Sequence, residues 1–337
     1  STVEKTALAD AEVEYKDHTS NTIYVSFKIK DTKKSFLENA NVIIWTTTPW
    51  TIPANKALAY NSSIDYSVVE IKDLDHFKDK KIVVATDLID SIIKSCEIKD
   101  FKILKNFKGS EFKDTTCSHP FLKLGYDYDV PMLDANFVNL EQGTGVVHCA
   151  PSHGPDDFIL CLKNNIPSKY TIDAAGFYTS EIPYFEKTHV FKADPIIIDK
   201  LKEEKKLLKN DKLQHSYPHS WRSKAPLIYR ATPQWFISME KNSLRKKAIT
   251  AIEKTKFFPS KGKDRLLSMI EGRPDWCVSR QRTWGVPLPI FINKKTKEPL
   301  RDKNVISRIA EIYEKEGSDC WFTEDSQKFL GKDYNKD

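Results

Sequence analysis

Apolar residues occupy every second position from Ile23 to Ile29 (Ile23, Val25, Phe27, Ile29), a spacing that only a half-buried strand satisfies. Val42-Ile43-Ile44-Trp45 follows as a continuous apolar run, and Thr46-Thr47-Thr48-Pro49 stops it, as expected of a fully buried strand. Further strands are expected at 65–71, 81–85, 101–105, 130–138 and 145–149, and helices at 86–95 and 155–164. The pattern predicts an α/β fold: a strand-rich, barrel-like domain with short helices, then a mixed α/β segment. After about residue 193 the texture changes. Asp194 is expected to cap a charged helix running through Lys209, with strands near 226–230 and 234–239 and a basic helix over 242–254. The boundary falls between 205 and 225; set at 215, it divides the 337 residues into domains 1–215 and 216–337.

No run reaches the roughly 18 apolar residues of a membrane span, so a membrane partner is not expected. The first residues carry no signal pattern. They also lack an initiator Met, so a piece of a longer cytoplasmic protein is expected. The six cysteines form no Cys-x-x-Cys pair and are expected to be reduced thiols. The formal charge of +6 is a weak pointer to an acidic partner. Its distribution says more: between Glu240 and Leu266, basic residues such as Lys246, Lys247, Lys261 and Lys263 far outnumber acidic ones. This is either a solvated helix face or a phosphate-contacting surface.

Three segments carry chemistry. Thr46, Thr47 and Thr48 end a strand before Pro49-Trp50, so three hydroxyls can face a ligand there; strand propensity alone also explains them. Gly143-Thr144-Gly145-Val146-Val147-His148-Cys149-Ala150-Pro151-Ser152-His153-Gly154-Pro155-Asp156-Asp157 is a glycine turn, a strand, a polar loop and a helix start. Its imidazoles and carboxylates fit helix capping and core packing, a metal-dependent hydrolase using His148, His153, Asp156 and Asp157, or a metal-free site. Asp275-Trp276-Cys277-Val278-Ser279-Arg280-Gln281-Arg282-Thr283-Trp284-Gly285-Val286-Pro287 interleaves Arg and Trp. That suits stacking and phosphate contact, or a surface helix with its Trp in the core.

The first segment, extended through Thr51-Ile52-Pro53-Ala54-Asn55, resembles the Thr-rich signature of the inserted editing domain in class I aminoacyl-tRNA synthetases for branched aliphatic amino acids, in its isoleucyl form. The second is similar to that family's Gly-Thr-Gly and His-x-Ala-Pro-x-His-Gly-x-Asp-Asp signature. The third, with Tyr229-Arg230-Ala231-Thr232-Pro233-Gln234-Trp235-Phe236, resembles the return into the catalytic core. The continuous match through Trp276–Pro287 argues against a free-standing trans-editing deacylase, which has no need of core segments.

The resemblance implies an isoleucine-specific ligase fragment that hydrolyses mischarged Val-tRNA(Ile), and also valyl-adenylate. Asp157 would hold the α-ammonium of the valine moiety. Thr46, Thr47 and Thr48 would surround the ester and orient water. His148 and Trp50 would wall out the larger side chain, with Asn55 at the rim. The partner is tRNA(Ile), faced by the basic 241–265 stretch, and a monomer is expected. No cofactor is expected in the fragment; the full enzyme would use ATP and Mg. The His-x-Gly-His and Lys-Met-Ser-Lys-Ser motifs that bind ATP in this class would lie elsewhere in that enzyme. Many relatives hold zinc with two Cys pairs. Ser1 and Glu4, then Ser220 and Ser223, stand at the matching positions here, so no structural zinc is expected. A non-catalytic RNA-binding module is the remaining alternative.

Overall fold

The computed structural model describes residues 1–74, 77, 80–279, 285–296 and 298–335. The chain forms two compact units, Ser1–Thr232 and Pro233–Asp337.

In the first unit the strands are β1 (Val13–Asp31), β2 (Ala40–Thr46), β3 (Ala57–Tyr60), β4 (Asp65–Ile71), β5 (Lys80–Ala85), β6 (Phe101–Lys108), β7 (Thr116–Ser118), β8 (Asp129–Asp134), β9 (Val147–Cys149) and β10 (Leu207–Ser220). The helices are α1 (Ile89–Ser95), α2 (Pro155–Lys163) and α3 (Val190–Glu203). The strands lie in the order β6-β4-β5-β2-β1-β7-β8-β3-β9, with β10 also paired to β1. Most neighbours are antiparallel, while β2/β5 and β3/β8 are parallel. The strand-rich α/β expectation therefore stands, but the sheet is not a closed barrel. Its path ends at β6 and β9, and no ladder joins them among the described residues. Closure needs strands paired along matched lengths, whereas β7 and β9 have only 3 residues each.

The 19-residue β1 organises the sheet. Ile23 to Lys28 pair with β2, Ile29 and Asp31 with β7, and Val13 to Val25 with β10. Ile23, Val25 and Phe27 are fully buried against Val42, Ile43 and Ile44. Both faces of β2 are covered, which explains its unbroken apolar run.

The segment after residue 193 differs from the expectation. Helix α3 starts at Val190, where His189 Nδ1 accepts the Phe191 N–H at 3.3 Å. Asp194 therefore sits inside the helix rather than at its cap. The helix ends at Glu203, and Lys209 belongs to β10. That strand pairs with the first half of β1 as a ribbon exposed over much of its length. Its Lys209-Asn210-Asp211-Lys212 stretch lacks an apolar alternation, so its strand state follows from pairing with β1. The division expected at 215 lies within this strand.

The second unit contains β11 (Phe236–Ile237), α4 (Leu244–Lys254), α5 (Lys261–Glu271), β12 (Trp276–Cys277), α6 (Lys303–Glu316), α7 (Cys320–Thr323) and α8 (Ser326–Leu330). Helix α4 is the basic helix anticipated over 242–254. A small core of Val305, Ile309, Cys320 and Phe329 joins α6 to α8. Arg280, Gln281, Arg282, Thr283 and Trp284 lie outside the described residues. Among the described residues, no helix is long and apolar enough to cross a membrane.

Candidate functional site

The end of β2 and the start of β9 bring the first two motifs together. Thr46 is the last residue of β2, and Thr48 leads into a short 3-10 turn, Pro49–Ala54. His148 lies in β9, opposite Leu58 of β3. The glycines before β9 have a steric cause. Gly145 has φ +77°, and a Cβ there would lie 2.3 Å from the Ala85 Cβ. Its carbonyl accepts the Tyr66 hydroxyl at 2.7 Å, and Ala85 N–H donates to the Thr144 carbonyl at 2.8 Å. The turn is thereby pinned to β4 and β5, which fixes where β9 begins.

A directional hydrogen-bond chain runs through the site. Asn55 Nδ2 donates to the Ala57 carbonyl at 2.9 Å, which fixes which end of the amide carries the N–H groups. The same nitrogen lies 3.2 Å from His148 Nδ1, so that ring nitrogen must accept. His148 is therefore protonated on Nε2, which donates to Thr51 Oγ1 at 2.8 Å. The Thr51 hydroxyl spends its own proton on the Thr48 carbonyl at 2.8 Å. Thr48 Oγ1 lies 3.3 Å from Thr51 Oγ1 and 3.1 Å from Thr46 Oγ1, and Thr48 N–H donates to Thr46 Oγ1 at 3.1 Å. The Tyr128 hydroxyl closes the far end on the Asn55 carbonyl at 2.7 Å. Burial, reinforced by nearby His153, pushes His148 down to about 4, so the ring is neutral at physiological pH.

Each expected residue has a definite place. Thr46, Thr48 and His148 belong to this chain, and Thr47 lies at the bend between the other two threonines. Asn55 is fully buried behind His148, not at a rim. Trp50 is buried and meets His153 edge-on, with ring centroids 5.1 Å apart. Its backbone is held at both ends: its N–H donates to Asp194 Oδ1 at 3.2 Å, and the Tyr178 hydroxyl donates to its carbonyl. Asp157 occupies the first turn of α2, where Oδ2 accepts the Ala150 N–H at 2.8 Å. Burial raises its carboxyl to about 6 against that hydrogen bond, with Asp156 adding to the rise.

A cavity of ≈ 570 Å³ adjoins the Thr-rich turn, lined by Thr48, Trp50, Thr51 and His153 and by later residues including Tyr217 and Arg230. His148 and Asp157 are not among its lining residues. Sequence reasoning missed Thr51, Asp194 and Arg230. Thr51 stood inside the quoted motif, three residues after Thr48, a spacing that a tight turn makes adjacent. The sequence marks Asp194 only as a helix cap and Arg230 only as part of the Tyr229–Phe236 segment; both are distant in sequence from the turn, and nothing in the sequence places them beside it.

The residues of the metal-site alternative do not offer a ligand set. His153 donates Nδ1–H to the Tyr229 carbonyl at 2.9 Å and accepts from the Thr171 hydroxyl on Nε2 at 2.9 Å. Both nitrogens of His148 are likewise engaged. Among the described residues, no three His, Cys, Asp or Glu side chains are arranged to share a metal ion. The positions matching the family's Cys pairs do meet in space. Glu4 Oε1 accepts from Ser220 Oγ at 2.8 Å and Ser223 N–H at 3.1 Å, while Glu4 N–H donates to Ser1 Oγ at 3.1 Å. One carboxylate and hydroxyls bonded to each other do not fit a tetrahedral thiolate site.

The model of the family "tRNA synthetases class I (I, L, M and V)" matches residues 1–337. The chain belongs to this family. It is 68% identical over 334 residues to the isoleucine–tRNA ligase of Pelagibacter ubique (strain HTCC1062), covering 99% of this chain and 37% of the relative. It is 45% identical over 353 residues to that of Gluconobacter oxydans (strain 621H), covering 99% of this chain and again 37% of the relative. This class I chain thus spans little more than a third of the relatives' length. The structure of the P. knowlesi cytosolic leucyl-tRNA synthetase editing domain aligns with 58% of this chain and 96% of its own, at 12% identity and a TM-score of 0.41. That likeness is too slight to carry an argument.

Proposed function

We propose that this class I synthetase chain is the editing part of an isoleucine–tRNA ligase and hydrolyses Val-tRNA(Ile), and also valyl-adenylate. The observation that carries the reading is the chain Asn55–His148–Thr51–Thr48–Thr46, in which Thr51 and Thr48 line a cavity. A neutral, rigid imidazole backed by a buried amide suits a wall, not a proton shuttle. A pocket separates isoleucine from valine by only about 1–3 kcal/mol, a general rule of which this amino-acid pair is the standard example. A second site that admits the smaller side chain and hydrolyses its ester removes the residual error.

In this reading the Asp157 carboxylate holds the α-ammonium, Thr46, Thr47 and Thr48 orient the ester and water, and His148 and Trp50 limit the side chain. Asn55 acts through His148. The basic α4 and α5 face tRNA(Ile). The whole enzyme, a cytoplasmic monomer, would charge isoleucine using ATP and Mg outside this region. Deacylation of Val-tRNA(Ile) and Ile-tRNA(Ile), measured side by side, tests the proposal. Hydrolysis of the first and not the second is expected, and no hydrolysis of Val-tRNA(Ile) would sink it.

A further inference from the structure

The 3-10 turn Pro49–Ala54 and the Asn55 that follows it are held from outside at three carbonyls, each by an aromatic side chain. The Tyr178 hydroxyl donates to the Trp50 carbonyl, His119 Nε2 to the Ile52 carbonyl at 3.0 Å, and the Tyr128 hydroxyl to the Asn55 carbonyl at 2.7 Å. The direction of the His119 bond is fixed, because its Nδ1 accepts the Phe121 N–H at 3.1 Å and its proton is therefore on Nε2. Burial pushes that ring down to about 3, so it is neutral.

Tyr178 and His119 are buried, whereas Tyr128 is only half-buried at the edge of the core. A cation covers it. Lys56 Nζ lies 3.6 Å from the Tyr128 ring centroid, close enough for the ring quadrupole to attract it. Among the described residues Lys56 forms no ion pair; Glu181, whose charge it senses, is bound by Lys169 at 2.7 Å. Burial, with Lys169 adding to it, lowers Lys56 to about 8, so the ammonium prevails at neutral pH. The His119 ring packs against Tyr128 as well, with centroids 5.6 Å apart.

Asn55 depends on this anchor. Nδ2 makes the hydrogen bonds of its buried amide, to the Ala57 carbonyl and to His148 Nδ1, while Oδ1 accepts from no protein group among the described residues. The amide is thus held along one edge, and its place follows from its backbone. That backbone is fixed by its N–H on the Ile52 carbonyl at 3.0 Å and by the Tyr128 hydroxyl on its carbonyl.

We propose that Tyr128, clamped by Lys56, is a positioning residue for size selection: its hydroxyl fixes Asn55, and through that amide the tautomer and orientation of the His148 ring. The inference rests on the proposed deacylase reading, in which His148 limits the side chain admitted. Refusing one additional methylene needs a wall that does not give.

The test uses the 337-residue chain and two tyrosines of one aromatic cluster. Tyr128→Phe keeps the ring and its contact with Lys56 and removes only the hydroxyl. Tyr126→Phe is the control, since that hydroxyl donates to the Pro183 carbonyl at 2.7 Å and not to the turn. Deacylation of Val-tRNA(Ile) and Ile-tRNA(Ile) is measured beside the nitrogen chemical shifts of His148. Tyr128→Phe should lower the ratio of kcat/KM for the two substrates roughly fivefold, as expected for one lost hydrogen bond. It should also move the His148 signals toward a mixture of tautomers. Tyr126→Phe should leave the ratio and the signals at wild-type values even where Tm falls equally. Lys56→Met, which keeps the stem and loses the charge, should move both readouts in the same direction by less, and Lys56→Arg should restore them. These two variants carry the comparison if Tyr128→Phe does not fold. The proposal is overturned if Tyr128→Phe leaves the His148 signals unmoved, or if Tyr126→Phe moves the ratio and the signals as far. A wild type that hydrolyses no Val-tRNA(Ile) overturns the deacylase reading instead, and the His148 signals then decide the positioning role by themselves.

Discussion

Nε2 of His148 donates a hydrogen bond to the Thr51 hydroxyl at 2.8 Å, across 97 residues of sequence. That contact ties the Thr-rich turn to β9 and, with Asn55 on the other ring nitrogen, leaves the imidazole one tautomer and one orientation. A ring held this way has a fixed surface, which is what discrimination by size requires.

His148→Ala is expected to relax selectivity more than it lowers rate. The mutant should hydrolyse Ile-tRNA(Ile), which the wild type should nearly spare. Deacylation of both substrates by both proteins decides it. Loss of Val-tRNA(Ile) hydrolysis with no gain on Ile-tRNA(Ile) would make His148 catalytic or structural.

Asn55→Ala should reproduce part of that relaxation although Asn55 has no exposed surface. It removes the donor that forces Nδ1 to accept, so the ring can turn over or change tautomer. Nitrogen chemical shifts of His148 report the tautomer directly. An unchanged Nε2–H form in the variant refutes this role.

Asp157→Ala and Asp157→Asn separate two functions of one carboxylate. Alanine orphans the Ala150 N–H, at a cost of about 1–3 kcal/mol. Asparagine keeps an acceptor there and loses only the charge, so it should fold like wild type. Its Val-tRNA(Ile) hydrolysis should fall at least ~10²-fold through lost positioning. Because valine and isoleucine share the ammonium, selectivity should not change. Wild-type rates in Asp157→Asn would leave Asp157 a helix-start staple only.

The raised carboxyl of Asp157 sets two opposite pH trends. If the ionised form holds the ammonium, hydrolysis should climb as pH rises through about 6. The folded chain holds this proton more tightly than a carboxyl at the ordinary 3.8. This group therefore favours the folded state below about pH 4, and the contribution is lost as pH rises through about 6. His148, at about 4, adds no inflection near neutrality. A rate profile without a step near 6, or one retained in Asp157→Asn, contradicts the assignment.

Glu4→Ala should lower Tm by about 2–4 °C, because it strips the acceptor from Ser220 and Ser223. Chelator should leave wild-type Tm unchanged, since the clasp uses no metal. A Tm that falls on chelation, with stoichiometric zinc in the untreated protein, would refute the metal-free clasp.

The strands β1, β2 and β4 could be read from the chain because each is covered by its neighbours in a regular way, and burial of that kind leaves a period in the sequence. The Thr-rich turn, the glycine turn and His148 were legible as motifs, since their chemistry and their backbone demands sit in contiguous residues. Gly145 shows the link: its positive φ and its approach to Ala85 are both written as a missing side chain. What the sequence did not carry is partnership across distance. Strand β10 is polar and exposed over much of its length, and is a strand because β1 pairs with it. Asp194 lies within a helix, and only packing puts its carboxylate under the Trp50 N–H. Arg230 reaches the cavity because a later segment of the chain returns beside the turn that carries Thr48. Local periodicity records how much of a residue is covered, but not by what, so the tautomer of His148 and the lining of the cavity were decided by tertiary structure alone.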